Sequence, residues 1–403
     1  MSSCRLVIIA DDLSGALDTA APFAARGADA RVVISLESLA TTLEAWQDQW
    51  PAVIAVNTES RHLPAEAAAL RVIEAVRLLT RVAPQQWFKK VDSTLRGQVV
   101  AECKALREAL GLPLLLAPAV PAQGRTVHDA EVWVDGLPLA ETGYQQDARS
   151  APLAGHIDVA FAAGGLPLQR YRPERETPLP GEDCIADAIS DEELAAIYAL
   201  LDTDSRHAMA GAAGLATAMA QRCFGAPESP CRTLHNVNKV LYAVGSRSAR
   251  ATEQLMQLRQ HFTHLAVLDA CGDKPDGSFA SNAGVVVPGS GETERTASQV
   301  AEEMAAQVAS VTSHWQQDEE GLLFLTGGDV AMAVLSRLGA SHIGVEAEWS
   351  PGVALGYING DPQRRVMTKA GGFGDPKLLV RLHDQFSLCL NRHRHAVSYT
   401  HLT

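Results

Sequence analysis

Short apolar runs alternate with stretches of helical periodicity from the start of the chain. RLVIIA (5–10), RVVIS (31–35), AVIAVN (52–57), QWFKKV (86–91) and PLLLAPA (113–119) read as strands, and the Ala- and Leu-rich stretches 64–80 and 97–110 read as helices between them. Apolar strands separated by amphipathic helices predict a parallel sheet covered on both faces. The pattern recurs later. KVLYAVGS (239–246), HLAVLDA (264–270) and NAGVVVPG (282–289) read as strands, and GLLFLTGGDVAMAVLSRLG (321–339) as strand, glycine turn and helix. Between the two patterns, CFGAPESPCRTLHNVN (223–238) has two prolines, a glycine and no periodicity, as a linker does. The expected fold class is α/β with two lobes, each a mostly parallel sheet flanked by helices. The domains expected are 1–222 and 239–390, with the active site in the interlobe cleft. The final stretch, NRHRHAVSYTHLT (391–403), has no apolar face and is expected to be a frayed or extraneous tail.

A chain of 403 residues exceeds one ordinary core, which agrees with two domains. With 47% apolar and 20% charged residues it has the material to fold. The formal charge of -13 repels polyanions, so nucleic acid is not an expected partner, although a local cluster of cations can still attract a small anion. The 7 cysteines are scattered and never form C-x-x-C, which argues for reduced thiols. The opening MSSCRLVIIADD has too short an apolar run for a signal peptide or membrane span, so a cytoplasmic protein with no membrane partner is expected.

Polar residues concentrate where strands end. The first strand empties into Asp11 and Asp12, followed by Leu13-Ser14-Gly15-Ala16 and Asp18. Acids there can grip sugar hydroxyls, hold a metal, accept a proton or simply cap a helix. Other strand ends supply NTESR (57–61) with Arg61, and KKVDSTLRG (89–97) with Lys90, Asp92, Ser93 and Arg96. Alternation sends Lys89 and Lys90 to opposite faces. APAVPAQGRTV (117–127) ends a rigid loop in Arg125, and VWVDGLPL resembles a hairpin turning at Asp135-Gly136. Together these cations, acids and hydroxyls suit a polyhydroxy acid: Arg and Lys for its carboxylate, Asp and Ser/Thr for its hydroxyls.

In the second half, Gly245-Ser246-Arg247-Ser248, Thr326-Gly327-Gly328-Asp329 and Gly371-Gly372-Phe373-Gly374 each follow an expected strand. Glycines there let backbone amides approach phosphates at a helix N-terminus, and three such turns suggest a nucleotide site. No G-x-x-x-x-G-K-[ST], kinase-fold H-R-D set or G-x-G-x-x-G after a strand occurs, so the familiar nucleotide folds lack their key residues.

The succession IADDLSGALDTA (9–20), NTESR (57–61), KKVDSTLRG (89–97), APAVPAQGRTV (117–127), AGAAGLATAMA (210–220), VGSRSARATEQ (244–254), TGGDVAMAVL (326–335) and TKAGGFGD (368–375) resembles the four-carbon acid sugar kinases over about residues 5–385. The resemblance implies an N-terminal lobe for the sugar acid and a C-terminal lobe for ATP. It implies ATP with Mg2+ as cofactor and phosphorylation of the terminal hydroxyl of threonate, erythronate or 3-oxotetronate. Carried over by position, Asp12, Arg61, Lys90, Asp92 and Arg96 face the substrate; Ser246, Ser248, Gly327, Gly328, Asp329, Gly371 and Gly372 face the nucleotide. Ser14 stands where the family commonly has Thr, Ala370 where it commonly has Ser, and Val330 where it commonly has Thr or Ser. The first motif looks more like the threonate/erythronate branch.

The expected partners are therefore a small-molecule sugar acid and ATP, with a homo-oligomer left open. The expected substrate-binding set is Asp11, Arg61, Lys90, Ser93, Arg96 and Arg125, with Asp12 as first choice of base and Asp92 as second. A non-catalytic two-lobed protein that binds a sugar acid is the rival reading.

Overall fold

The computed structural model describes residues 4–400 except 48, 147–149, 154, 174–177, 205–206, 228–233, 235–236, 273–280, 290–294 and 316–319. The chain divides into two compact units, Met1–Glu228 and Ser229–Thr403.

The first unit opens with β1 (Leu6–Ala10), α1 (Leu13–Ala24), β2 (Ala30–Val33), α2 (Leu36–Ala45), β3 (Val53–Asn57), α3 (Ala65–Leu79), β4 (Gln86–Lys90), α4 (Val99–Leu110) and β5 (Leu114–Ala117). A small antiparallel sheet follows, β6 (Arg125–His128), β7 (Glu131–Val134) and β8 (Leu137–Pro138). The unit closes with α5 (Ile157–Ala163), β9 (Gln169–Tyr171), β10 (Cys184–Ala186), α6 (Asp191–Asp204), β11 (Ala208–Gly211) and α7 (Ala213–Phe224). Its main sheet runs β2-β3-β1-β4-β11-β5-β10-β9, and every pairing is parallel. Strands β1, β3 and β5 are buried along their whole length, as a sheet sandwiched between helix layers requires. The connection from β1 leads outward to β2 while that from β4 leads the other way to β5. The topological switch therefore lies between the adjacent β1 and β4, where parallel sheets open a crevice at their carboxyl ends.

The second unit repeats the logic. It contains β12 (Lys239–Val244), α8 (Ala249–His261), β13 (Ala266–Asp269), β14 (Ala283–Val287), α9 (Ala297–Thr312), β15 (Gly321–Thr326), α10 (Gly328–Arg337), β16 (His342–Ser350), β17 (Val353–Ile358), β18 (Arg364–Lys369) and α11 (Leu378–Thr400). Its strands run β13-β14-β12-β15-β18-β17-β16, parallel as far as β18 and antiparallel thereafter. The switch falls between β12 and β15. The core gathers Tyr242, Phe324, Leu355 and Met367 from the sheet with Leu258 of α8 and Leu378, Leu382 and Phe386 of α11.

Two boundaries differ from the sequence reading. Helix α7 runs through Phe224, so the helix extends into the stretch read as linker; residues 228–233 and 235–236 of that stretch lie outside the described residues. Helix α11 continues through Thr400, so the backbone of 391–400 is helical rather than frayed. Propagating a helix from a packed first half costs far less than nucleating one, so an apolar face is not needed to the end. Residues 401–403 lie outside the described residues.

Candidate functional site

In the first unit, parallel register sets Ala10 of β1 beside Asn57 of β3 and Lys90 of β4, so the segments that follow emerge side by side. The Thr58 amide donates to the Ala10 carbonyl at 2.8 Å and the Ser60 amide to the Asp11 carbonyl at 3.0 Å, which folds Arg61 back over β1. Its guanidinium then grips both aspartates. Nε donates to Asp11 Oδ2 and Nη2 to Asp11 Oδ1, both at 2.8 Å, while Nη1 and Nη2 reach Asp12 at 2.7 and 3.0 Å. Asp12 also caps α1, accepting from the Gly15 amide at 2.8 Å. Burial alone would raise the pKa of Asp11. The Arg61 charge and hydrogen bonds, with Lys89 and Lys90, hold it below the usual carboxylate range.

Beyond β4 the chain turns tightly through Leu95, at φ 57, and Gly97, at φ 88. A Cβ on Gly97 would lie 2.9 Å from Asp11 Oδ2, so only glycine lets this turn close on the Asp11–Arg61 pair. Asp92 anchors the turn. It accepts from the Thr94 amide at 3.1 Å and the Thr94 hydroxyl, and from Arg96 Nε and Nη2 at 3.0 and 2.9 Å. Against its burial, Arg96, Arg61 and Lys90 hold its carboxyl far below the ordinary range. Asp92 is thus an anchor for Arg96 and a poor proton acceptor. Ser93 is buried beside it.

The two lysines part as alternation predicts. Lys89 enters a buried network in which its ammonium lies 3.1 Å from Glu102 Oε2 of α4, Glu102 accepts from Ser60 Oγ, and Ser60 meets Thr58 Oγ1 at 2.7 Å. Burial opposes the Lys89 charge, but Glu102 and Asp11 raise its pKa and keep it protonated. Lys90 takes the other face. Its Nζ donates to the Val91 carbonyl at 2.9 Å and lies 3.4 Å from where a Cβ of Gly15 would sit. Arg125 opens β6, donates to the Gln123 carbonyl at 2.8 Å and to the Tyr144 hydroxyl at 3.1 Å, and lies close enough to Asp18 to affect its charge. The hairpin expected at Asp135-Gly136 is present: both residues have positive φ, and Val134 pairs with Leu137 across them.

In the second unit, β12, β15 and β18 end side by side, and their glycine turns meet. The Gly245 amide donates to the Thr326 carbonyl at 3.0 Å. Gly327 has φ 102, and a Cβ there would lie 2.9 Å from the Ser246 nitrogen. A Cβ on Gly371 would lie 1.9 Å from Ser246 Oγ, and Ser248 Oγ donates to the Gly371 carbonyl at 2.8 Å. Ser246, Ser248, Gly327 and Gly371 thus form one cluster. Helices α8 and α10 both begin there, capped by Ser248 and Gly327, and two helix N-termini offer amide donors to an anion. Gly328 and Gly372 face open space, with no atom near their absent Cβ. Asp329 is exposed in the first turn of α10, and Val330 fills the space against Gly245, where a Cβ would lie 2.2 Å from Cγ2. Thr326 Oγ1 is buried without a hydrogen-bond partner among the described residues, a polar group suited to a bound ligand.

Lys369, at the end of β18, was not among the candidates read from the sequence. It is almost fully buried and donates to the carbonyls of Ala370, Gly371 and Phe373 at 2.8 to 3.0 Å. Burial, helped by the Arg250 charge, lowers its pKa to about 8. The signal was its place two residues before the glycine pair.

A family model described as a sugar-binding N-terminal domain matches residues 6–219, and one described as a nucleotide-binding C-terminal domain matches residues 241–379. A D-threonate kinase of Cupriavidus necator is 32% identical, with 93% of this chain and 96% of that protein covered. The chain belongs to the four-carbon acid sugar kinase family. Within it, a D-threonate kinase of Salmonella typhimurium is 29% identical, covering 93% of this chain and 96% of its own. A D-erythronate kinase of Heliobacterium modesticaldum is 27% identical, covering 92% and 94%. Among solved structures, a Salmonella typhimurium protein described as a tRNA synthase superposes with a TM-score of 0.73 at 19% identity, covering 94% and 98%, a likeness of fold alone. A Bordetella bronchiseptica protein, 27% identical with a TM-score of 0.50 and covering 96% and 98%, was solved with bound citrate as a domain-swapped dimer. In this kinase no helix among the described residues is long and apolar enough to cross a membrane.

Proposed function

We propose that this kinase transfers the γ-phosphoryl group of ATP to the terminal hydroxyl of a four-carbon sugar acid, with D-threonate first among the candidates and D-erythronate second. The observation that carries this reading is the cluster at the ends of β1, β3 and β4, where Asp11, Asp12 and Asp92 are matched by Arg61, Arg96 and Lys90. Such a set presents fixed acceptors to several hydroxyls and a cation to a carboxylate. In this reading Arg61 and Arg96 hold Asp11, Asp12 and Asp92 in place for the hydroxyls, Ser93 and Arg125 complete the pocket, and Lys90 meets the acid's carboxylate. The similarity to D-threonate kinases supports the choice of acid.

The turns at Ser246, Ser248, Gly327, Gly328, Gly371 and Gly372 would hold the phosphates of ATP through backbone amides and hydroxyls, with Asp329 beside them. Mg2+ is expected with ATP and would neutralise charge on the phosphates. Among the described residues no group of three His, Cys, Asp or Glu comes together as a metal cage. That fits an ion which keeps its waters and binds chiefly through phosphate oxygens. In-line transfer then requires the hydroxyl held by the first unit to reach the phosphorus held by the second. Self-association is also proposed, on the strength of the dimeric Bordetella protein.

The test is turnover. Purified protein with MgATP and a panel of tetronic acids should release ADP with D-threonate or D-erythronate and yield the 4-phosphate. Binding of the acid with no affinity for ATP or ADP would replace the kinase by a sugar-acid-binding protein.

A further inference from the structure

Asp18 lies one helical turn beyond Gly15 on α1, and its bonding differs from that of the carboxylates around it. Asp11 is committed to Arg61, Asp12 to Arg61 and the Gly15 amide, Asp92 to Thr94 and Arg96, and Glu102 to Lys89 and Ser60. The half-buried carboxylate of Asp18 has no hydrogen bond or ion pair among the described residues. Four charged groups nonetheless act on it electrostatically: Lys90 at the end of β4, Asp12 at the cap of its own helix, Arg125 at the head of β6 and Asp92 in the loop after β4. It therefore follows, one turn along α1, the Gly15 position that lies against Asp12 and Lys90, within electrostatic reach of the substrate cluster but outside the ion pairs that build it.

We propose that Asp18 is the proton acceptor of the reaction, taking the proton from the terminal hydroxyl of the sugar acid as that oxygen attacks the γ-phosphorus. The inference rests on the kinase reading above and moves the base from Asp12 and Asp92, the choices drawn from sequence. As the new oxygen–phosphorus bond forms, the bond from the γ-phosphorus to the bridging oxygen breaks, and ADP leaves with that electron pair. The hydroxyl proton passes to Asp18 and from there to solvent. A carboxylate already accepting from arginine can take a proton only by giving up that bond, whereas Asp18 has both oxygens available. Burial is the largest influence on Asp18 and raises its pKa. Asp12 and Asp92 push the same way, while Lys90 and Arg125 pull it back. The result is a stronger base than an ordinary aspartate.

The experiment compares wild type, Asp18→Asn and Asp18→Glu on the acid that the wild type turns over. Asp18→Asn should lower kcat by about a hundredfold or more. Its affinity for that acid, measured by calorimetry without nucleotide, should stay within about twofold, because Asp18 holds no substrate-anchoring ion pair. The wild-type kcat should rise with pH along a single-group limb above the ordinary aspartate value of about 3.9. Asp18→Asn should lose that limb, and Asp18→Glu should retain a limb displaced in pH, at reduced kcat. A kcat for Asp18→Asn within about threefold of wild type, a change of less than 1 kcal/mol, would overturn the proposal, as would an unchanged pH limb. Should Asp18→Asn fail to fold, as absent acid binding would reveal, Asp18→Glu decides: a limb identical in position to wild type excludes Asp18 as the titrating group, and a displaced one supports it. Wild-type protein inert towards every tetronic acid is a different result, which removes the kinase reading itself and this inference with it.

Discussion

Arg61 meets Asp11 through two parallel hydrogen bonds, Nε to Oδ2 and Nη2 to Oδ1, both 2.8 Å long, and neither side chain is much exposed. The fork of a guanidinium matches a carboxylate in this way, and lysine cannot reproduce it. The carboxylate that Arg61 reads is thus one of the protein's own, and a second, Asp12, shares it. Arg61 and Arg96, both expected from sequence to bind the substrate, are each paired with an aspartate.

Arg61→Met should therefore destabilise the fold as well as abolish activity. Removing one partner of a buried pair leaves the other charge uncompensated and costs about 3–5 kcal/mol. The pH dependence follows from Asp11, whose pKa is lower in the folded than in the unfolded chain. Its contribution is present above the unfolded value, about 3.9, and is lost as pH falls through the folded value. Urea unfolding should show the full deficit at pH 7 and a closing gap below about pH 4. A deficit that does not change with pH would show that lost packing, not the ion pair, is responsible.

In the proposed function Lys90 meets the carboxylate of the acid. Its ammonium donates to one backbone carbonyl and faces Asp11, Asp18 and Asp92 without a direct ion pair. Lys90→Met should raise KM for the sugar acid by roughly tenfold to a hundredfold, the scale of one charged hydrogen bond, and leave KM for ATP unchanged. It should also narrow the preference for the acid over the uncharged four-carbon polyol. A variant that keeps the wild-type preference would assign carboxylate recognition to another cation.

The glycines of the second unit separate folding from binding. A Cβ on Gly371 would strike Ser246 Oγ at 1.9 Å, whereas one on Gly328 meets only open space. Gly371→Ala should lower Tm and weaken ATP binding together. Gly328→Val should weaken ATP binding, seen as a raised KM or lost calorimetric heat, with Tm and acid affinity near wild type. Equal loss of Tm in both variants would mean that the space at Gly328 is not reserved for nucleotide.

Strands such as β1, β3, β12 and β15 were legible because each is an unbroken apolar run buried on both faces. Strand β11, Ala208–Gly211, was not read: two alanines, a methionine and a glycine carry little strand preference, and its place between β4 and β5 is fixed only by tertiary pairing. The antiparallel β16 and β17 were missed too, although β16 alternates buried and half-exposed residues over nine positions. At the site, the polar strand ends named the right loops, but which cation meets which acid depends on χ angles that no spacing reveals. Lys89 illustrates this, since its partner Glu102 lies a full helix start away on α4.

Lys369 gives the last prediction. Its ammonium gathers the carbonyls of Ala370, Gly371 and Phe373 with no carboxylate among the partners found for it. In a trans peptide the amide N–H points opposite to the carbonyl, so turning these carbonyls inward turns the amides of Gly371, Gly372 and Gly374 outward, where phosphates would bind. The pKa of about 8 means that the ammonium is partly deprotonated above that pH, and an arriving polyanion should restore the proton. Without ligand, the unfolded chain holds this proton up to about pH 10.4 and the folded chain only to about 8. This residue's contribution to stability thus rises with pH across that window, even as ATP affinity falls. Calorimetry at pH 8.5 in buffers of different ionisation heat should detect proton uptake when ATP binds, and Lys369→Met should take up none and bind ATP more weakly at pH 7. Identical proton uptake in wild type and variant would place the titrating group elsewhere and leave Lys369 as a purely structural clasp on the loop.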